Sequence, residues 1–341
     1  MLVLVLIVFS GLSLLALGLC HRTRLELRMA RMRGDDLRAF YLALGGVNRA
    51  VSALRKDLAE REDEVVHFGQ PWHLATSAAA EGFFVDLDDT WRTASSLFYA
   101  TTDEEGRLNI RTSSPAGWLA LPGMDEAAIH AILDWEDEDD TPEPQGAETA
   151  DHYMRQPYPY RAKNAPIGSV WELARLAGID RRRLLGEDAN GNGALDVNED
   201  DGAASWPPDN MDGSLDHGLI DHFTVCGDGK VNLNTANRAV LSALPGVEPA
   251  DAEEVVSFRA GPDRLTFTAD DRYFASPDDV AKVSNLSPTA QELLAEYGTC
   301  TSRHFRVVSQ ASVRQDGPLV SLWALVSRTD GEVQVVFLRR L

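Results

Sequence analysis

The sequence predicts an α+β fold: a long amino-terminal helix packed on a small antiparallel sheet, with a large duplicated helical insertion carried by that sheet. Three observations predict it. Residues 1–20 are uncharged and apolar apart from Ser10, Ser13 and three small-residue breaks, and they run directly into a stripe of apolar residues spaced three and four apart. A Leu-Pro-Gly helix hairpin occurs twice in the middle of the chain at a fixed offset, and three β-branched runs separated by Asp-Gly turns close it.

The chain has 341 residues, of which 44% are hydrophobic, enough to fill real cores and to exclude wholesale disorder. Asp and Glu number 53 against 32 Lys and Arg, for a formal charge of −21. That balance argues against a nucleic-acid partner, because phosphate affinity depends on clustered basic residues. Position matters more than the sum. The acids concentrate in residues 134–151 and 187–221, whereas the segment after the apolar start is basic through Arg22, Arg24, Arg28, Arg31 and Arg33.

About 20 apolar residues span a bilayer as a helix, so residues 1–20 are expected to be a transmembrane segment. A cleaved secretory signal fits worse, with no basic region before the apolar run and no A-x-A site after it. A lipid anchor on Cys20 is disfavoured by Leu19, where a small residue is expected. Leu37, Phe40, Tyr41, Leu44, Val47, Val51, Leu54 and Leu58 then form one stripe, so residues 21–62 are an amphipathic continuation ending near Glu60. The arginine cluster, by the positive-inside rule, would place everything after it in the cytoplasm.

Residues 63–112 should begin the α/β domain. Residues 95–101 and 107–110, joined through Glu105-Gly106, predict a hairpin there. From residue 113 to 300 the pattern is helical and repeats itself. Leu119-Ala-Leu-Pro-Gly123 and Leu241-Ser-Ala-Leu-Pro-Gly246 each precede an amphipathic helix, at an offset of 123 residues. Weaker copies end at Gly178 and Asn285, residues that tolerate the left-handed conformation of a helix end. The hairpins resemble the helix–hairpin–helix (SAM-like) module, many members of which bind the DNA backbone through turn amides. Acidic flanks here would repel phosphate, which favours a protein-interaction or structural role. Residues 301–341 complete the sheet with runs beginning at His304, Leu319 and Val333, separated by Asp316-Gly317 and Asp330-Gly331.

One local signal is specific. Asp188-Ala-Asn190-Gly-Asn192-Gly193-Ala194-Leu195-Asp196-Val-Asn198-Glu199 fits D-x-[DN]-x-[DN]-G-x₅-E throughout. Asp188, Asn190 and Asn192 would offer side-chain oxygens to calcium, Gly193 the sharp bend, and Ala194 its carbonyl. Asp196 would bind directly or through water, and Glu199 would close the site with two oxygens. Leu195 is expected to anchor the loop to a core. No exiting helix follows, since Asp201-Gly202 and Pro207-Pro208 intervene, so the loop predicts a structural site rather than a helix-opening sensor. Asp134, Asp137, Asp139, Asp140 and Glu148 form a second acidic cluster that offers ligands for another ion; it lacks a matching spacing rule, so a solvated helix end is the simpler account.

Catalytic constellations are missing: there is no G-x-S-x-G, H-E-x-x-H or G-x-x-x-x-G-K-[ST], and the eight histidines are scattered, so no enzyme is predicted. Trp135 and Trp171 occupy helical apolar positions and are assigned to core. Cys226 and Cys300 flank the second helical pair and leave two readings open, a disulfide and two free thiols.

Together these features resemble the GspK family, the large minor pseudopilin of type II secretion systems. The resemblance covers nearly the whole chain. Its carriers are the apolar start running into Arg22-Thr-Arg-Leu-Glu-Leu-Arg, Phe40-Tyr-Leu-Ala, and Ile132-Leu-Asp-Trp-Glu-Asp-Glu-Asp-Asp with Gly146-Ala-Glu148. Further carriers are Tyr160-Arg-Ala-Lys-Asn164 and Gly229-Lys-Val-Asn-Leu-Asn-Thr-Ala236; the Asp-Trp and Asn-Thr-Ala segments are the most specific. The resemblance implies a pilin-like sheet. It also implies a leader cleaved by a prepilin peptidase that N-methylates the new terminus. The helix would be a single pass in the inner membrane with the soluble part in the periplasm, overriding the positive-inside expectation. No leader precedes Met1; if Met1 is the first mature residue, Val5 stands where most pilins carry Glu, as in GspK. The implied role is at the pseudopilus tip, joined to GspI- and GspJ-like partners through the amino-terminal helix, initiating or capping assembly for export of folded proteins. A minor pilin of a type IV pilus or related filament is the alternative from the same class, and a membrane-tethered periplasmic hydrolase the alternative from another.

Overall fold

The computed structural model describes residues 1–61, 63–73, 96–188, 195, 197–204, 208–266, 268–314, 317–329 and 331–341. Helix α1 (Leu2–Glu60) runs unbroken for 59 residues, about 90 Å at the usual rise of about 1.5 Å per residue. Up to Gly34 its described side chains are exposed or half-buried, and beyond that point one face closes on a sheet. The face keeps Val47, Val51 and Leu54 of the expected stripe and differs from it elsewhere. Ala39, Ala43, Val47, Ala50, Val51 and Leu54 are buried, whereas Leu37 and Tyr41 are exposed and Phe40, Leu44 and Leu58 only half-buried. The reason is distance: the helix lies so close to the sheet that small side chains occupy the contact line and bulky ones spread to its flanks. Gly46 marks the closest approach, where a Cβ would overlap Ser309 Oγ.

Eight strands follow among the described residues: β1 (Ser96–Asp103), β2 (Leu108–Asn109), β3 (Phe223–Thr224), β4 (Val231–Asn232), β5 (Gly298–Thr299), β6 (His304–Ser312), β7 (Val320–Thr329) and β8 (Glu332–Arg340). The main sheet has the order β1-β6-β7-β8, antiparallel throughout. The carboxy-terminal meander thus forms as its turn signals predict. The expected hairpin between residues 95 and 110 does not. β1 pairs with β6, and β2 pairs in parallel with β3, more than a hundred residues on. The backbone after Glu105 is satisfied by the insertion instead: Leu108 N donates to His222 O at 2.9 Å and Ile110 N to Thr224 O at 2.9 Å. A local turn signal yields here to tertiary pairing.

The chain leaves the sheet after β1 and re-enters it at β6, and the residues between fold around their own core. Helices α2 (Pro115–Trp118) and α3 (Glu126–Glu136) are the first strong hairpin, turning through Gly123 at φ 78°. Next comes α4 (Arg181–Leu185); α5 (Arg238–Ser242) and α6 (Pro249–Arg259) then repeat the hairpin, turning through Gly246 at φ 72°. The weak copies keep the turn, with Gly178 at φ 74° and Asn285 at φ 64°, but their first helices are 3-10 segments, Val170–Arg175 and Pro277–Lys282. Each is followed by a capped helix, α4 after Asp180 and α7 (Pro288–Tyr297) after Ser287. Trp135 is core as expected, edge-on to Tyr153 at 5.4 Å. Trp171 is only half-buried and reaches the sheet, 6.3 Å from the Trp323 ring and covered by the Arg339 guanidinium at 4.6 Å.

Two apolar cores result, one between α1 and the sheet and one inside the insertion. Between them runs a buried polar seam. Asp103 Oδ2 accepts from Asn232 Nδ2 at 2.8 Å, Thr235 Oγ1 at 2.6 Å and Ser302 Oγ at 2.7 Å, while its Oδ1 accepts from Glu105 N at 2.9 Å. Beside it Arg306 Nε donates to Glu104 Oε1 at 2.5 Å and Nη1 to the carbonyl of Ile220 at 3.0 Å. Cys226 and Cys300 are free thiols, pushed by burial up to about 11 and about 12.

Candidate functional site: two acidic loops of the insertion

Of the six residues expected to hold calcium, Asp188 and Glu199 are described; Asn190, Asn192, Ala194 and Asp196, with the bend at Gly193, lie outside the described residues. Asp188 follows α4 by three residues and Glu199 closes a 3-10 turn, Val197–Glu199. Both carboxylates are withdrawn from solvent, at 2% and 1% exposure. Leu195 is 37% exposed, so it does not anchor the loop to a core as its position suggested.

The neck of this loop is tied by backbone. Glu187 N donates to Asp216 O at 2.9 Å, and the buried Glu187 carboxylate accepts from Asn210 N at 3.1 Å and Asp216 N at 3.2 Å. Farther out, Asp209 accepts amides from Asp201, Gly202 and Met211, each at 2.9 Å. Desolvation would raise the Asp209 carboxyl, but those amides outweigh it and hold it below its ordinary value. These contacts were not legible beforehand, because carboxylates that cap turns have no spacing signature.

The second acidic cluster is better ordered than its lack of a spacing rule suggested. Asp134, near the end of α3, is fully buried; its Oδ1 accepts from Glu143 N at 3.1 Å and its Oδ2 from Ala147 N at 2.6 Å. A Cβ on Gly146 would overlap the Asp134 carboxylate, which explains glycine before Ala147. Glu148 is 1% exposed, and its Oε2 accepts from Thr149 N at 3.1 Å. One carboxylate oxygen from each of Asp134, Asp137 and Glu148 lies within 4.8 Å of the other two. Desolvation, then the neighbouring charges of Asp139 and Asp134, raises the Asp137 carboxyl. Desolvation also raises Glu148, aided by Asp134, Asp137 and Asp140 against the Thr149 amide. Asp139 and Asp140 stand outside the trio, the first accepting from Thr141 N at 2.7 Å, the second 3.5 Å from Asn164 Nδ2.

The segment 160–164 packs against this loop. Tyr160 Oη donates to Arg175 O at 2.6 Å, Lys163 pairs with Glu172 at 2.9 Å, and Asn164 Nδ2 donates to Asp139 O at 2.9 Å. Asn232 and Thr235, from the other specific segment, belong to the seam around Asp103. These side chains hold backbone and carboxylates in place; among the described residues they assemble scaffold chemistry.

The start of α1, up to Gly34, is the remaining functional feature: the helix is long and apolar enough there to cross a membrane, and its described side chains are exposed or half-buried.

Comparison with known proteins gives a consistent answer. The family model described as "Type II secretion system (T2SS), protein K" matches residues 118–185, which hold α3, the acidic cluster and α4. The chain is 26% identical to the type II secretion system protein K of Pseudomonas aeruginosa, across 98% of this chain and 90% of that protein. To the Klebsiella pneumoniae protein of the same name it is 25% identical, across 54% of this chain and 60% of that one. Among solved structures it is similar in fold to the GspK-GspI-GspJ complex of enterotoxigenic Escherichia coli. The TM-score is 0.58 at 15% identity, covering 92% of this chain and 99% of the matched chain.

Proposed function

We propose that this chain, which belongs to the type II secretion protein K (GspK) family of minor pseudopilins, works at the tip of the pseudopilus as a structural subunit that starts or caps assembly. The observation that carries the proposal is the division of labour along the chain. A free apolar helix start supplies a membrane anchor and a packing rod, and a bulky insertion with its own core rides on a single four-stranded sheet. Neighbouring pilin-type helices would pack beside the rod, while the insertion would obstruct a further subunit.

The solved relative is a complex of GspK with GspI and GspJ, which supports GspI- and GspJ-like pseudopilins as partners here. The family reading further supports a single pass in the inner membrane, a periplasmic head, and processing with N-methylation by a prepilin peptidase. Co-expression of the chain with its GspI- and GspJ-like neighbours should yield one detergent-soluble ternary complex. Deleting its gene should abolish export of folded substrates. Normal export in the deletion strain would sink the proposal.

Calcium enters as a structural ion of the 188–199 loop, held by Asp188, Asn190, Asn192, the Ala194 carbonyl, Asp196 and Glu199. The burial of both terminal carboxylates, Asp188 and Glu199, is compatible with that donor set. The ion would neutralise the loop and stiffen the insertion. Chelation should therefore lower the melting temperature of the full chain in detergent. Ligand linkage sets the loss at about 2–3 kcal/mol when calcium stands near 100 times its dissociation constant. An unchanged melt after chelation would remove calcium from the account.

A further inference from the structure

Residues 21–34 of α1, between the apolar run and the sheet, are exposed throughout. They hold five arginines, Arg22, Arg24, Arg28, Arg31 and Arg33, against one carboxylate, Glu26. The charge is not balanced within the helix. Arg22 pairs with Glu26 at 3.0 Å, an exposed pair of little worth, and among the described residues none of the other four arginines has a carboxylate partner. The next two carboxylates are committed to the head: Asp35 to Arg314 at 3.1 Å, and Asp36 to Arg340, whose Nη1 donates at 3.0 Å. Leu25, Leu27, Met29 and Met32 lie exposed among the arginines, the mixed composition of a helix in a membrane interface. With a periplasmic head, this charge also stands on the side that the positive-inside rule depletes of it.

We propose that Arg22, Arg24 and Arg28 form a collar for the headgroups of anionic phospholipids, fixing the depth at which α1 leaves the membrane. The proposal rests on the single-pass reading of α1, and its register follows from it. At about 1.5 Å per residue, residues 1–20 span the hydrocarbon core of about 30 Å and set its edge near Cys20. Arg22 and Arg24 then stand about 3 and 6 Å beyond that edge, inside a headgroup layer of roughly 5–8 Å. Arg28, about 12 Å out, is within one Debye length (about 8 Å) of the layer's surface, and Arg31 and Arg33, at about 17 and 20 Å, lie beyond it. The head leaves the collar uncovered, because its ion pairs to Asp35 and Asp36 begin about 22 Å from the edge. Guanidinium forks match phosphate oxygens, and a headgroup without an ammonium of its own leaves that charge to be met. Arg24 and Arg28 lie roughly 120–160° around the helix from Arg22. A ring of that kind suits surrounding lipid, whereas a partner helix would meet one face.

The test reconstitutes the full chain into vesicles of three parts phosphatidylcholine to one part phosphatidylglycerol, both leaflets alike so that the direction of insertion does not enter. Electron spin resonance of trace spin-labelled phosphatidylglycerol or phosphatidylcholine reads the lipid immobilised against the protein, and hence the relative association of the two headgroups. The parent should prefer phosphatidylglycerol about three- to fivefold at low salt, the scale of one arginine per headgroup. Most of that preference should vanish in about 0.5 M salt. R22Q/R24Q/R28Q should bring it close to parity, and R31Q/R33Q should keep it. No preference in the parent would overturn the proposal, and so would equal loss in the two variants. No preference, together with failure of R22Q/R24Q/R28Q to form the ternary complex, would assign the arginines to acidic groups of the GspI- and GspJ-like subunits instead. Failure of the single-pass reading looks different: the parent would then immobilise neither label, and the proposal would fall with that reading.

Discussion

Replacing Asp103 by alanine should lower the melting temperature of the full chain by roughly 5–15 °C, the scale expected for a loss of about 3–5 kcal/mol. One carboxylate accepts from Asn232, Thr235 and Ser302 and from the amide of Glu105, all within the seam between the two cores. Its removal takes the acceptor from the Thr235 and Ser302 hydroxyls and the Glu105 amide, at about 1–3 kcal/mol each before water enters or neighbours relax, while Asn232 Nδ2 keeps Val66 O at 3.2 Å and Ser302 Oγ at 2.9 Å. Asp103→Asn should cost less, about 1–3 kcal/mol, because the hydroxyls of Thr235 and Ser302 can turn to accept from the new amide. Burial, the largest influence on this carboxyl, raises it above its ordinary value, against the hydrogen bonds from Thr235 and Ser302. A melting temperature unchanged in Asp103→Ala would mean that this carboxylate does not help to hold the insertion on the sheet.

The seam also shows what a sequence conceals. The Gly229–Ala236 segment could be picked out by resemblance, yet nothing in its composition said that Asn232 and Thr235 reach back across about 130 residues to Asp103. The periodicity of α1 was legible to within a residue of Glu60, because one long stripe repeats many times. Of the residues that press on the sheet, Val47, Val51 and Leu54 were legible in that stripe, whereas Ala39, Ala43, Gly46 and Ala50 were not, since alanine and glycine carry little hydrophobic signal and the contact is set by how closely the backbones approach. Gly123 and Gly246 were legible as turns because a helix end at positive φ selects glycine in any context. Glu105-Gly106 misled for the opposite reason: the turn residues are there, but the strand that β2 joins comes from the insertion. At the acidic loops, a spacing rule singled out the segment from Asp188 to Glu199, whereas the cluster around Asp134 was visible only as composition, because Asp134, Asp137 and Glu148 meet only after the 137–147 loop folds back.

Gly46→Leu should unseat α1 from the sheet, with a loss of about 3 kcal/mol in the stability of the full chain, at the upper end of what overpacking costs. A first side-chain carbon at this position overlaps Ser309 Oγ and stands 3.0 Å from Leu97 Cδ1, so it meets β6 and β1 together. Ser309 cannot turn away without cost, because it is buried and its hydroxyl donates to Phe98 O at 3.2 Å. Leucine is a strong helix former, so intrinsic propensity works against the loss by nearly 1 kcal/mol, and whatever is measured understates the steric term. Gly45, one residue earlier, has nothing within 4 Å of the same carbon. Gly45→Leu should therefore hold or raise stability, and the pair of variants separates packing from helix chemistry. If both behaved alike, the close approach of helix and sheet would be refuted. If only Gly46→Leu melts early, it should also fail to form the ternary complex with GspI- and GspJ-like partners, because a head loosened from its rod no longer presents its insertion in register with the subunits beside it.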